Sequence, residues 1–317
     1  MTIIEAQRKT AQILREGGVE NAMNEARFLL EDALGMDSVQ LVTGYRDHAC
    51  EACVETAFAW AARRAAGEPL QYILGHTDFM GPDMKTAPGA LIPRPETEGL
   101  CGLLEEEAKR RSAELSAAGA LQADEPAWPA RILDLCTGSG CIAAWAAHTF
   151  PGASVTAADL SEEALAVAQK NCKAHESYPG QVVLKQSDLF DALDTGDGSS
   201  SPGAGTKNRP RFDVILSNPP YIPSATVDDL ESEVKDHEPR LALDGGPEGM
   251  DIVSRIIAQA PSYLVPGGLL LMEIDDTQEE LVLAACKQSG KWSKYTVLRD
   301  LAGKVRYLKA FKKVLAT

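Results

Sequence analysis

The chain has 317 residues, 44% hydrophobic and 24% charged, with a formal net charge of -15, so it can bury a substantial core and is expected to form two domains. The acidic balance opposes nonspecific binding to a phosphate backbone, no stretch is apolar over the length of a bilayer span, and the first 17 residues are too charged for a secretory signal. A cytoplasmic, monomeric protein without membrane or nucleic-acid partners is expected, and its seven scattered cysteines predict reduced thiols rather than a disulfide framework.

Residues 2–64 have the periodicity of several amphipathic helices, with Ala26, Leu29, Leu30, Ala33 and Leu34 on one stripe. Gly17-Gly18, Gly35 and Gly44 mark helix ends. The expectation is an α-helical bundle over 1–75 that recognises the substrate, followed by a β-rich connector and linker helix over 76–129. Within the bundle His48, Cys50 and Cys53 offer three zinc-type ligands. No second Cys/His pair follows at zinc-site spacing, so no metal is expected and the thiols are assigned to helix faces. From Arg131 onward strands and helices alternate, which predicts a largely parallel sheet covered on both faces over 130–317. Residues 194–210 are rich in Gly, Ser and Pro and read as a mobile surface loop. The last two strand-like runs, 295–298 and 305–310, flank Gly303 and are expected to form a hairpin at the sheet edge.

The chemistry sits at strand ends. Arg131-Ile132-Leu133-Asp134-Leu135-Cys136-Thr137-Gly138-Ser139-Gly140 reads as a strand, a tight Gly-containing turn and a helix start, which lets backbone approach a nucleotide-like ligand. Asp159 closes the next strand at the spacing of a ribose acceptor. Asp188 and Leu189 follow a third strand, where an adenine edge could be read. Cys136 and Cys141 flank the Gly turn with no general base tied to either, so they are read as structural, Cys136 contributing backbone to the pocket. A fourth strand ends in Ser217-Asn218-Pro219-Pro220-Tyr221. Neither proline has an N–H, so the turn offers the Asn218 amide and the Pro219 carbonyl as acceptors for a planar NH₂ group. Together these features describe an S-adenosylmethionine site beside a methyl-acceptor site.

The sequence resembles the HemK/PrmC family of peptide-chain release factor N5-glutamine methyltransferases. The resemblance rests on the Asn-Pro-Pro-Tyr turn, on Gly67-Glu68-Pro69-Leu70-Gln71-Tyr72-Ile73-Leu74-Gly75, on Leu91-Ile92-Pro93-Arg94-Pro95-Glu96-Thr97-Glu98, and on Glu238-Pro239 through Gly245-Gly246 with Gly249. It spans most of the chain from Gly67 to Ala310. It implies a Rossmann-like class I S-adenosylmethionine-dependent methyltransferase fold with a seven-stranded sheet, and S-adenosylmethionine as the cofactor. It also implies a class I release factor as the protein substrate, methylated on the glutamine of a Gly-Gly-Gln motif. Asn218, Pro219, Pro220 and Tyr221 are the implied acceptor site, with Arg94 and Glu96 near its mouth; a surface salt bridge is the plainer reading of that last pair.

Other readings compete. Asn-Pro-Pro-Tyr also serves adenine-N6 methyltransferases, but these hold a polyanion and extract a base, and this chain has no basic run longer than Arg110-Arg111 or Lys312-Lys313. A ribosomal-protein glutamine methyltransferase is the nearer alternative, and the intact Ile92-to-Glu98 segment looks more like the release-factor type. A noncatalytic S-adenosylmethionine-binding protein is the third.

Overall fold

The computed structural model describes residues 1–117, 128–174, 182–194 and 209–314. Most of the Gly/Ser/Pro-rich loop over 194–210, and part of the linker before Arg131, lie outside the described residues.

The chain forms two compact units. The smaller comprises Met1–Thr77, Thr86–Pro88 and Glu231–His237, and the larger comprises Asp78–Lys85, Gly89–Leu230 and Glu238–Thr317. In the smaller unit α1 (Ile3–Glu16), α2 (Ala22–Leu34), α3 (Ser38–Thr43), α4 (Glu51–Ala65) and α5 (Leu70–Leu74) form the bundle. Ala26, Leu29 and Leu30 are fully buried, and Ala33 and Leu34 pack beside them. Gly17, Gly35 and Gly44 are the C-caps of the first three helices. Cys50 is the N-cap of α4 and Cys53 lies in its first turn. The remote segment Glu231–His237 joins this unit through charge: Arg64 bonds Glu25 at 2.6 Å and Glu233 at 2.5 Å.

The chain then runs through β1 (His76–Asp78) and β2 (Asp83–Lys85), which form a separate two-stranded sheet, into the long helix α6 (Pro95–Ala117). A proline suits the first helical position because its missing N–H would have no intrahelical partner there. Next come β3 (Arg131–Leu135), α7 (Cys141–Thr149), β4 (Ser154–Asp159), α8 (Glu162–Ala174), β5 (Val182–Gln186) and β6 (Phe212–Ser217). Short helices α9 (Ser224–Val227) and α10 (Ser232–Lys235) follow, then α11 (Asp251–Gln259), β7 (Leu264–Glu273), α12 (Glu279–Ser289), β8 (Trp292–Arg299) and β9 (Val305–Lys312).

Seven strands form one sheet in the order β5-β4-β3-β6-β7-β9-β8. The first five pair in parallel, and the hairpin β8–β9 adds antiparallel strands at one side, with β8 at the edge. Burial on both faces explains the unbroken apolar runs. Leu270 and Met272 of β7 face α11 and α12, while Leu269 and Leu271 face α6 and α7, the period of two that a pleated strand imposes. The order in which strands are added reverses between β3 and β6, the place in an open α/β sheet where a crevice opens at the strands' carboxyl ends.

Candidate active site

Register brings the predicted strand ends into one row. Leu135 pairs with Ala158 of β4 and with Ser217 of β6, and Asp159 pairs with Gln186 of β5. Cys136, Asp159, Asp188 and Asn218 therefore emerge side by side at one edge. Beyond them lies a cavity of about 1000 Å³, counting its solvent-open mouth. Its walls include Cys136, Thr137, Gly138 and Ser139 from the first turn, Asp159, Asp188 and Leu189 from the next two, and Asn218 and Pro220 from the fourth. Arg94 also lines it, together with residues 89–93 and Thr97 on one side and Pro239, Leu241, Ala242 and Ile252 on the other.

Four predicted site residues are not on this wall. Gly140 is the N-cap of α7 at φ 77°, where a Cβ would come within 2.8 Å of the Ala168 Cβ, so its position serves helix packing. The Glu96 side chain is exposed, and its carbonyl accepts the Tyr307 hydroxyl at 2.6 Å. Pro219 is buried in the turn. Tyr221, whose ring is expected to pack against an acceptor amide, donates its hydroxyl to Glu273 Oε1 at 2.7 Å.

The first turn is held by a carboxylate. Asp159 Oδ2 accepts the Gly138 N–H at 2.8 Å and Oδ1 accepts the Ser161 N–H at 2.9 Å. Burial raises the Asp159 pKa, and the backbone N–H bonds of Ser161 and Gly138 oppose the shift. Cys136 and Leu189 take φ values of 57° and 51°, a left-handed conformation costly for side chains with a Cβ, so strain collects on the cavity wall. Burial pushes the Cys136 thiol well up and the Cys141 thiol up to about 12, which leaves neither as an activated nucleophile. Arg94 is ion-paired to Glu238, whose other oxygen accepts the Ile92 N–H at 3.0 Å. Asp188 is paired with Arg255 at 2.9 Å.

The Asn-Pro-Pro-Tyr turn is braced from behind. Ile222 and Asp244 form a parallel bridge, and buried Gln278 donates to the carbonyls of Tyr221 at 2.8 Å and Gly249 at 3.0 Å. A Cβ on Gly249, at φ 69°, would fall 2.0 Å from the Tyr221 carbonyl oxygen. Only glycine fits there, which gives the segment after Glu238-Pro239 a physical reason for its composition. Nothing local in the sequence points Thr97, Glu238 or Glu273 to the site, although Thr97 and Glu238 lie within the family-like segments. Thr97 stands on the buried stripe of α6 with Leu100, Cys101 and Leu104, and a hydroxyl at such a position is the signal that could have revealed it.

Asp134, beneath the turn, is fully buried and accepts the Thr137 hydroxyl at 2.5 Å. Burial, with a further push from Asp159, raises its pKa to about 7. An acid with a raised folded-state pKa stabilises the fold fully only below its ordinary value, and that contribution is lost as pH rises through about 7. At ~1.4 kcal/mol per pKa unit the effect is on the order of 4 kcal/mol. Thermal melts of wild type and Asp134→Asn from pH 5 to 8 should give a steeper decline for wild type. Parallel curves would assign the decline to other groups.

The sheet order, the edge hairpin and the cavity at the reversal point define a class I S-adenosylmethionine-dependent methyltransferase. Residues 5–75 match the PrmC N-terminal domain and residues 120–234 the methyltransferase small domain. The release factor glutamine methyltransferase of Geobacter sulfurreducens is 40% identical over 281 residues, spanning 89% of this chain and 87% of that protein. Those of Koribacter versatilis and Moorella thermoacetica are 37% and 35% identical, the former over 96% of both chains and the latter over 99% of both. The chain belongs to the release factor glutamine methyltransferase family. No helix among the described residues is long and apolar enough to cross a membrane.

Proposed function

We propose that the protein transfers a methyl group from S-adenosylmethionine to the side-chain nitrogen of the glutamine in the Gly-Gly-Gln loop of a class I peptide chain release factor. The observation that carries this reading is the Asn218-Pro219-Pro220-Tyr221 turn at the end of β6, with Asn218 on the wall of the cavity that Asp159 and the Gly138 turn also line.

The residues fit the cofactor. A Cβ on Gly138 would meet nothing within 4 Å, so ligand can approach that backbone closely. Asp159 keeps acceptor capacity for ribose hydroxyls, since each carboxylate oxygen has a second lone pair. Asp188 and Leu189 stand where an adenine edge would be read. When bound, the cofactor supplies a methyl already activated on a sulfonium, so the protein's contribution is orientation and electrostatics.

An amide nitrogen is a weak nucleophile because its lone pair is delocalised into the carbonyl. Asn218 Oδ1 and the Pro219 carbonyl each accept one N–H of the substrate amide and aim the nitrogen. They also favour the positive charge that grows on it. The methylated amide is acidic enough to release its proton to water, so no general base is needed. Pro220 stiffens the turn, and Tyr221 anchors it through Glu273. Arg94, held by Glu238, and the exposed Glu96 flank the mouth and contact the incoming loop.

A glutamine on a loop offers little surface for specificity, so the α-helical unit is assigned to recognition of the folded factor. The reading places the enzyme in the cytoplasm as a monomer. Its net charge of -15 disfavours a nucleic-acid substrate.

Incubation of the purified protein with S-adenosylmethionine and an unmethylated class I release factor is the direct test. Tandem mass spectrometry should find one methyl on the Gly-Gly-Gln glutamine. A methyl found only on a ribosomal protein or on DNA adenine in parallel incubations would replace the assignment.

A further inference from the structure

An asparagine that presents Oδ1 to a substrate must keep its NH₂ turned away, yet the two ends of the amide are nearly the same size. In this protein a chain of hydrogen bonds decides between them. Asn218 Nδ2 donates to Thr97 Oγ1 at 3.0 Å, and the Thr97 hydroxyl donates to Glu273 Oε2 at 2.9 Å. Glu273 Oε1 accepts the Tyr221 hydroxyl at 2.7 Å. Glu273 and Thr97 are 1% and 2% exposed, so water does not compete for these bonds.

The direction of the chain follows from its far end. A carboxylate has acceptors only, whereas a threonine hydroxyl has one proton and two lone pairs. Once that proton is committed to Glu273, Thr97 can only accept, and the group it accepts from must be the Asn218 NH₂. The opposite amide orientation would set Oδ1 against a lone pair of Thr97 and leave the NH₂ facing the cavity. We propose that Thr97 and Glu273 are positioning residues that fix the amide orientation of Asn218, so that its oxygen faces the acceptor nitrogen. Glu273 at the same time anchors Tyr221 and so ties both ends of the Asn-Pro-Pro-Tyr turn to the end of β7. This inference rests on the reading of Asn218 as a partner of the acceptor amide.

A double-mutant cycle tests it with the full-length protein, release factor and saturating S-adenosylmethionine. Thr97→Val keeps the shape but removes the hydroxyl, and is expected to lower kcat about tenfold, the cost of one lost oriented hydrogen bond, with cofactor affinity by calorimetry unchanged. Thr97→Ser should restore the rate. In an Asn218→Ala background Thr97→Val should cost nothing more, because the residue it orients is gone. Should Thr97→Val fold poorly, the near-isosteric Glu273→Gln takes its place: slower transfer alone, and a clearly smaller loss beside Asn218→Ala, where only the Tyr221 anchor is left to disturb. Equal fold-losses in both backgrounds, or wild-type turnover in Thr97→Val, overturn the proposal while leaving Asn218 as the acceptor partner. Wild-type turnover in Asn218→Ala itself would instead overturn the acceptor-site reading and this inference with it.

Discussion

Asn218→Ala is expected to lower methyl transfer by roughly 10² to 10³, the usual cost of removing one preorganised polar contact to a centre where charge develops, while S-adenosylmethionine still binds. The side chain lines the cavity beside the Gly138 turn, and its Nδ2 donates to Thr97 at 3.0 Å rather than to Asp159 or the first turn. Truncation therefore leaves the Asp159 network and the first turn intact and removes an acceptor for the substrate amide. The loss should appear in kcat, because the contact gains most as positive charge grows on the nitrogen. Calorimetry with cofactor and single-turnover rates with release factor separate the two effects. A variant that loses cofactor affinity in proportion to its rate would place Asn218 in cofactor binding instead.

Asp159→Ala should do the reverse. Its carboxylate organises the turn through Gly138 and Ser161, at 2.8 and 2.9 Å, and offers further lone pairs to ribose hydroxyls. Hydrogen bonds to a charged group are worth about 1.5–3 kcal/mol each, so cofactor affinity should fall roughly 10- to 100-fold. Turnover at saturating cofactor should fall much less than in Asn218→Ala. Asp159→Asn, which keeps one acceptor oxygen, should lie between wild type and alanine in affinity. Unchanged affinity in Asp159→Ala, or losses matched to those of Asn218→Ala, would contradict the division of labour between the second and fourth strand ends.

The two variants probe residues that were legible in the chain before any fold was known. Asp159 and Asn218 each close an apolar, β-branched run, and a strand end at the carboxyl edge of a parallel sheet is where ligands are met. The Gly138 turn and the prolines flanking the acceptor carbonyl have their chemistry written locally, in φ preferences and missing N–H groups. Such features depend on residues a few positions apart, so sequence alone determined them, together with the alternation of strands and helices, the edge hairpin and the helical nature of the first 74 or so residues.

Other features were settled only by distance contacts. The hydroxyl of Tyr221 finds its partner in Glu273, 52 positions later. Thr97 and Asn218 meet across 121 positions, and Thr97 and Glu273 across 176. The pairing of Arg94 with Glu238 and the union of Glu231–His237 with the helical unit are likewise products of how the chain returns on itself. A hydrogen bond between remote residues leaves no periodicity, because its partners are chosen by sheet order and register after the strands have assembled. The sequence by itself determined which atoms could do chemistry at the strand ends; the tertiary structure decided which buried groups orient them.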